Sequence, residues 1–287
     1  GAAAGVAQPG RAPGAPLRLS DLSALRAATE QALLEVALSA QGRALLVGNG
    51  TGEELGSGAW ALALAEELRR LAALSGALPG DRFAIAVGYI ALFWVMLTNL
   101  QPDSDGMVRM EGFSSLTQAW WLARQVMGAS VQRVCEIGFN AGHSALAMLL
   151  SAPPDASVVS FDSFAKGYTP ACAEFLRAVF GQRLEVVRGP SRDTVPQFAL
   201  QRWVEPRCDV IYIDGGHSEE DASADLLAMS LLAAPGRSLV VMDDVGCPTP
   251  FCAGPTAAWG AFQRAGRLRE LGCQREGLRG WCWGVFA

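Results

Sequence analysis

Apolar and polar positions change rhythm near residue 130, and the change separates a helical stretch from one in which strand-length and helix-length segments alternate. Before it, Leu22, Leu25, Leu33, Val36 and Ala37 return to one side at helical spacing and predict a helix over 19–39. A glycine cluster from Gly48 to Gly58 interrupts the pattern, and 59–75 reads as a second helix stopped by Gly76, Pro79 and Gly80. The apolar stretch 83–97 is fifteen residues long and contains a glycine. A bilayer needs roughly 18 or more, so a buried third helix is expected and no membrane span. A polar loop at 101–106 precedes a further helix over 114–127.

From Gln132 onward, apolar runs at 133–137, 157–161, 184–187, 210–213 and 238–242 predict five strands. Helical segments at 144–150, 170–180 and 219–232 lie between them, in the order that builds a parallel sheet with right-handed crossovers. The tail, 269–286, reads as two β segments with Gly277 to Gly280 between them, an antiparallel hairpin at one sheet edge. The expected fold class is α/β, a doubly wound Rossmann-like sheet behind a helical N-terminal cap. The expected organisation is a flexible tail over 1–18, the cap over 19–112 and a ligand-binding body over 113–287.

Composition narrows the function classes. Half-apolar content, 51% against 18% charged, supports a full core and excludes disordered and fibrous chains. The net charge of -5, a single lysine (Lys166) and the lack of a basic block argue against a nucleic-acid partner. Seven cysteines form no CxxC pair, and Cys247 and Cys252 are nearest neighbours, so neither a zinc ribbon nor a disulfide framework is expected. A reducing compartment follows, with Cys172, Cys208 and Cys273 as buried packing residues. The first twenty residues are rich in Ala, Gly and Pro and carry Arg11 and Arg18 without an acid, which fits a tail or the end of a trimmed targeting segment. The expected location is therefore cytoplasmic, or organellar if a transit peptide preceded. Trp120 and Trp121 read as a helix packing face, while Trp259 and Phe262 follow the loop 246–255 and could border an acceptor.

The chemistry begins at the end of the first strand, where Glu136 is followed by Gly138 and Gly142 and then a helix start. Glycine lets the backbone turn sharply and a ligand approach the main chain. The second strand ends in Asp162, placed where a carboxylate can accept both hydroxyls of a ribose. Together they imply a nucleoside ligand; the plain alternative is a glycine turn and an ordinary surface aspartate. The spacing is not GxGxxG, and Glu136 would repel phosphate, so a ligand with an ammonium or sulfonium group fits better. Here the chain resembles the class I S-adenosylmethionine-dependent methyltransferases, whose first motif reads acid-x-Gly-x-x-x-Gly. Arg188-Gly189-Pro190-Ser191 resembles the family's Gly-x-Ser turn beside the adenine. Tyr212-Ile213-Asp214-Gly215-Gly216-His217-Ser218 resembles the Asp-Gly-x-His segment of a small-molecule subgroup, and Pro235-Gly236 with Val241-Met242-Asp243-Asp244-Val245 is similar to its turn and fifth strand.

The resemblance spans 114–287 and implies a seven-stranded sheet with S-adenosylmethionine as cofactor. It implies that Glu136, Gly138 and Gly142 line the methionine part, Asp162 holds the ribose, Ser163 and Phe164 cover the adenine face and Ser191 lies near the adenine. Asn140, Ser144 and Asp214 complete the implied cofactor-binding set. His143 stands where relatives often have tyrosine or threonine.

Asp214 ends the fourth strand, while Asp243 and Asp244 end the fifth. Adjacent strands lie roughly 5 Å apart, and like charges so close push at least one carboxyl pKa upward. A hard divalent ion with oxygen ligands would satisfy them. In the catechol, caffeoyl-CoA and macrocin-type O-methyltransferases, acids at these strand ends bind magnesium. The resemblance thus implies Asp214, Asp243 and Asp244 as Mg²⁺ ligands, with His217 and Asp214 as the catalytic pair and His217 as general base or substrate contact. Alternatively Asp243 and Asp244 cap a loop or pair with an arginine, and His217 belongs to the start of the next helix. The expected activity is methyl transfer to a small-molecule hydroxyl. Alternatives are metal-free S- or N-methylation, an NAD(P)-dependent oxidoreductase, or a non-catalytic cofactor-binding subunit. The apolar N-terminal helices would suit a homodimer interface as well as a cap.

Overall fold

The computed structural model describes residues 114–202 and 207–287, together with Ile85, Gly88, Tyr89, 91–93, Val95, Met96 and Asn99. The helices expected over 19–39 and 59–75 lie outside these residues. Within 83–97 the described positions from Ile85 to Met96 are helical, and no helix among the described residues is long and apolar enough to cross a membrane.

The chain divides into two compact units. The first comprises 1–127, 140–154 and 164–182, and its described elements are helical. Helix α1, Leu116–Val126, starts where the Ser115 hydroxyl accepts the Gln118 amide at 3.1 Å, an N-cap that satisfies an otherwise orphaned donor. Helix α2, His143–Ser151, is buried at all nine residues, and α3, Thr169–Phe180, opens on a proline in its first turn.

The second unit, 128–139, 155–163 and 183–287, contains the whole sheet. Its strands are β1 Arg133–Ile137, β2 Ser157–Asp162, β3 Leu184–Arg188, β4 Val210–Ile213, β5 Leu239–Asp243, β6 Leu268–Glu276 and β7 Arg279–Phe286. They run in the order β3-β2-β1-β4-β5-β7-β6, the first five parallel and β7 antiparallel to both neighbours. The five parallel strands and the terminal hairpin lie within a residue or two of the positions read from the apolar runs. All four residues of β4 are buried, the mark of a parallel strand covered on both faces. Among the described residues of this unit the α-helices are α4 Ser191–Gln201, α5 Glu219–Ser230 and α6 Ala253–Arg264.

One core is shared by alternate strand positions and these helices. Cys135, Ile137, Val159, Phe161, Ile211, Ile213, Val240 and Met242 are spaced two apart along their strands and so face one side. Val195 and Phe198 of α4, Leu226 and Met229 of α5, and Trp259 and Phe262 of α6 belong to the same cluster. The Trp259 indole N–H donates to Glu270 at 2.7 Å, which satisfies the one polar atom of that buried ring.

The cysteine expectation needs correction. Cys135 pairs with Cys208, Cys247 with Cys252 and Cys273 with Cys282, leaving Cys172 as a buried free thiol. Local spacing carries no trace of two of these pairs because the sheet makes them. Val134 and Val210 are register partners on β1 and β4, which brings the chain before β4 beside Cys135; Cys273 and Cys282 are direct partners across β6 and β7. Cys208 and Cys273 are thus cross-linked rather than simple packing residues. Burial pushes the Cys172 thiol up to about 12, so it stays protonated.

Candidate active site

The parallel strands β1, β2, β4 and β5 all end on one side of the sheet, where an open α/β sheet binds ligands. Gly138, directly after β1, has a φ of +95° and donates its amide to the Phe161 carbonyl at 2.9 Å. A Cβ there would overlap the backbone oxygen of Asp214, so this glycine is required both by conformation and by the close approach of the β4 end. Glu136, on β1, is fully buried and accepts the Ser160 hydroxyl at 2.5 Å. Asp162 closes β2 half-buried, its carbonyl taking the Gly189 amide at 2.9 Å, and Ser163 beside it is exposed.

Ser191, at the start of α4, donates its hydroxyl at 2.5 Å to Asp225 of α5. Asp225 is 3% exposed, and burial raises its pKa against the opposing hydrogen bonds from Ser191 and the Gly216 backbone. It therefore ties the loop after β3 to the loop after β4. Nothing about Asp225 stands out in the sequence except a carboxylate on the buried side of a helix.

The acid cluster forms where β4 and β5 end. Tyr212 donates its hydroxyl to Asp243 at 2.9 Å, and the other oxygen of Asp243 accepts the Asp244 amide at 2.9 Å. Asp244 has a φ of +57°, a left-handed conformation that costs a non-glycine residue free energy and tends to persist at functional sites. Its Oδ2 lies 3.0 Å from Nε2 of His217. His217 is held just outside α5, whose first turn carries Glu219, Glu220 and Asp221 and whose cap is the Ser218 hydroxyl accepting the Asp221 amide at 3.0 Å. Gly254 of α6 passes so close to the His217 carbonyl that a Cβ would overlap it. Phe251 lies with its ring centroid 5.6 Å from that of His217.

Asp214, His217 and Asp244 each bring one donor atom to a group in which all lie within 4.8 Å of one another. Burial, then the charges of Asp243, Asp244 and Glu136, push the Asp214 pKa well above the ordinary carboxylate value, with Arg279 opposing. Burial, then Asp243, Asp214 and Glu136, push the Tyr212 pKa well up, so its phenol remains a donor.

The remaining sequence candidates belong to the helical unit. Asn140 and Phe164 adopt left-handed φ values of 51° and 59°, and Gly142 has 86°. The side-chain Oδ1 of Asn140 accepts the Tyr168 hydroxyl at 2.6 Å. Ser144 is buried in the first turn of α2. His143 packs against Tyr89 and Phe93, each with a centroid distance of 4.7 Å, and burial lowers its pKa to about 3. That imidazole is neutral and part of a packed aromatic group.

Residues 135–245 match the protein family described as a methyltransferase domain. No curated protein sequence matches the chain. Among solved structures, an O-methyltransferase from Bacillus cereus in complex with SAH superposes with a TM-score of 0.52 at 19% identity, covering 61% of this chain and 83% of that one. TomG, an O-methyltransferase from Streptomyces achromogenes involved in tomaymycin synthesis and solved with SAM, gives 0.51 at 19%, covering 61% and 82%. A putative O-methyltransferase from Klebsiella pneumoniae gives 0.53 at 20%, covering 68% and 89%. At these identities the likeness is one of fold. The match over 135–245 and the fold agree with the resemblance read from the acid-x-Gly-x-x-x-Gly motif: this part of the chain is similar to a methyltransferase domain, and the oxidoreductase alternative loses its support.

Proposed function

We propose that the protein is an S-adenosylmethionine-dependent O-methyltransferase acting on a small-molecule hydroxyl, with His217 as proton acceptor beside a Mg²⁺ site formed by Asp214 and Asp244. The 3.0 Å contact between His217 and Asp244 at the ends of β4 and β5 carries this reading. The methyltransferase-domain match and the cofactors SAH and SAM in two fold neighbours support the choice of cofactor.

The donor set fits both groups. Glu136, next to last in β1, and Asp162, the last residue of β2, are carboxylates rather than basic residues, which suits a sulfonium and ribose hydroxyls and disfavours a bare phosphate. When bound, the cofactor supplies an electrophilic methyl group. Asp162 would hold the ribose hydroxyls, and Gly138 lets the backbone turn at the end of β1; the sequence resemblance extends the set to Glu136, Asn140, Gly142, Ser144, Ser163, Phe164 and Ser191. When bound, the cation supplies a Lewis acid that lowers the pKa of an acceptor hydroxyl. Hard cations prefer oxygen, so Asp214 and Asp244 would hold it and leave the imidazole for the proton. A carboxylate only accepts hydrogen bonds, so Asp244 fixes the Nε2–H form of His217 and makes Nδ1 the atom that takes a proton. Asp243 acts one step removed, fixing the backbone of Asp244 and the hydroxyl of Tyr212. The net charge of -5 favours a small acceptor over a nucleic acid.

The test is transfer of labelled methyl from S-adenosylmethionine to a panel of catechol and sugar hydroxyls, with added Mg²⁺ and with chelator. Transfer that falls on chelation supports the proposal. Transfer only to amines or thiols, indifferent to Mg²⁺, contradicts it.

A further inference from the structure

We propose that Cys247–Cys252 is a reversible thiol–disulfide site whose state sets the position of Phe251 against His217. The pair closes a ring of loop directly after Asp244, with a sequence separation of 5 against 73 for Cys135–Cys208. So short a ring removes less chain entropy from the unfolded state, so its main constraint is local. The three disulfides differ in reach. Cys135 and Cys208 are 0% and 2% exposed, shut inside the core. Cys273 is exposed and Cys282 buried, but they face each other across the β6–β7 ladder, whose hydrogen bonds hold the hairpin without the bond, so opening it leaves the ladder in place. Cys247 is half-buried while Cys252 is buried, and both line an open hollow with Pro248, Thr249 and Thr256.

The base of this loop is fastened independently of the disulfide. The Gly246 amide donates to Thr256 at 2.8 Å, Arg275 donates to the Gly246 carbonyl, and the Val245 amide donates to Gly280 at 3.1 Å. Phe251 lies inside the ring and against His217. The Cys252 sulfur lies 3.8 Å from Asp244 Oδ1. Opening the bond therefore acts at two points: it frees the segment that carries Phe251, and it gives Cys252 an S–H able to donate to Asp244.

The exchange balances with a dithiol as reductant. One thiolate of the dithiol attacks Sγ of Cys247, the accessible sulfur; the S–S bond breaks, and its electron pair leaves on Cys252 and is protonated. The Thr249 hydroxyl, 3.0 Å from the Cys252 sulfur and 3.4 Å from that of Cys247, can donate to the departing thiolate. The second thiol of the dithiol then closes on the first, expelling Cys247. Two electrons and two protons pass to the protein, and the dithiol becomes a disulfide.

The test uses the full chain, oxidised with glutathione disulfide and then titrated with dithiothreitol. Alkylation and peptide mass spectrometry read each cysteine, and NMR at fixed pH reads the ring protons of His217; the chain has two histidines, so His143 is the internal reference. Cys247 and Cys252 are expected to become labelled together at a dithiothreitol concentration at least about tenfold below that needed for Cys135 and Cys208. The His217 resonances are expected to move on reduction while those of His143 stay, and the Cys247→Ser/Cys252→Ser variant is expected to show no redox-dependent movement. Free thiols at 247 and 252 after oxidation, or unchanged His217 resonances on reduction, would overturn the proposal. Neither readout requires cofactor or turnover, so the result stands apart from the methyltransferase reading.

Discussion

His217 precedes α5 and Asp244 follows β5, yet Nε2 of the one lies 3.0 Å from Oδ2 of the other because β4 and β5 are parallel neighbours that end together. Asp244 reaches this position through a left-handed backbone that Asp243 secures by accepting its amide. A proton acceptor oriented in this way contributes about 10²- to 10⁴-fold to turnover. We expect His217→Ala and Asp244→Asn each to lower kcat within that range, with S-adenosylhomocysteine affinity kept within a few-fold by titration calorimetry. The double variant should be little worse than either single variant, because the two residues act as a unit.

Asp214 works against the fold that holds it. Burial and its acidic neighbours raise its folded pKa, so the folded chain binds that proton more tightly than the unfolded one. Its favourable contribution is complete below the ordinary carboxylate value, and it is lost as pH rises from there through the raised folded value. At pH 8 in chelator, Asp214→Asn is expected to melt at the same temperature as wild type or higher. Added Mg²⁺ should raise the wild-type melting temperature and leave the variant nearly unmoved, which differential scanning fluorimetry reads directly.

The parallel strands were legible because their apolar runs are short, β-branched and bounded by turns, and the order of strands and helices leaves few topologies. Helix α4 was not, since it carries Pro196 and buries only Val195 and Phe198, too few for a periodic signal. Helix α6 is hidden in the same way by Ala, Gly and Pro in AGPTAAWGAFQR. Among the acids, the sequence places Asp214, Asp243 and Asp244 at neighbouring strand ends but does not reveal which way each side chain points. Alternation along a strand decides that Asp243 meets Tyr212, and the turn after the strand decides that Asp244 meets His217. The disulfides and Asp225 depend on contacts between segments far apart in sequence, which local patterns do not carry.

His143 makes acid sensitivity predictable in sign. Its pKa falls to about 3 on burial, so the unfolded chain takes up a proton below its ordinary value near 6.5 that the folded chain refuses. Stability is lost as pH drops from that ordinary value toward the folded one. His143→Phe, which keeps a ring between Tyr89 and Phe93, is expected to lower the midpoint pH of acid unfolding followed by circular dichroism.

Gly138 tests the close approach of β1 and β4. With a φ of +95° and no room for a Cβ against the Asp214 carbonyl, Gly138→Ala is expected to destabilise the fold by at least about 2 kcal/mol. Urea unfolding should show a lower midpoint with an unchanged slope.

The most direct measurement is calorimetric titration of S-adenosylmethionine and S-adenosylhomocysteine into the wild-type chain and into Asp162→Ala. Saturable binding to wild type, weakened by at least about tenfold in the variant, which is about 1.4 kcal/mol, is the expected result. Absence of binding to a folded wild-type chain, with or without Mg²⁺, would contradict the account.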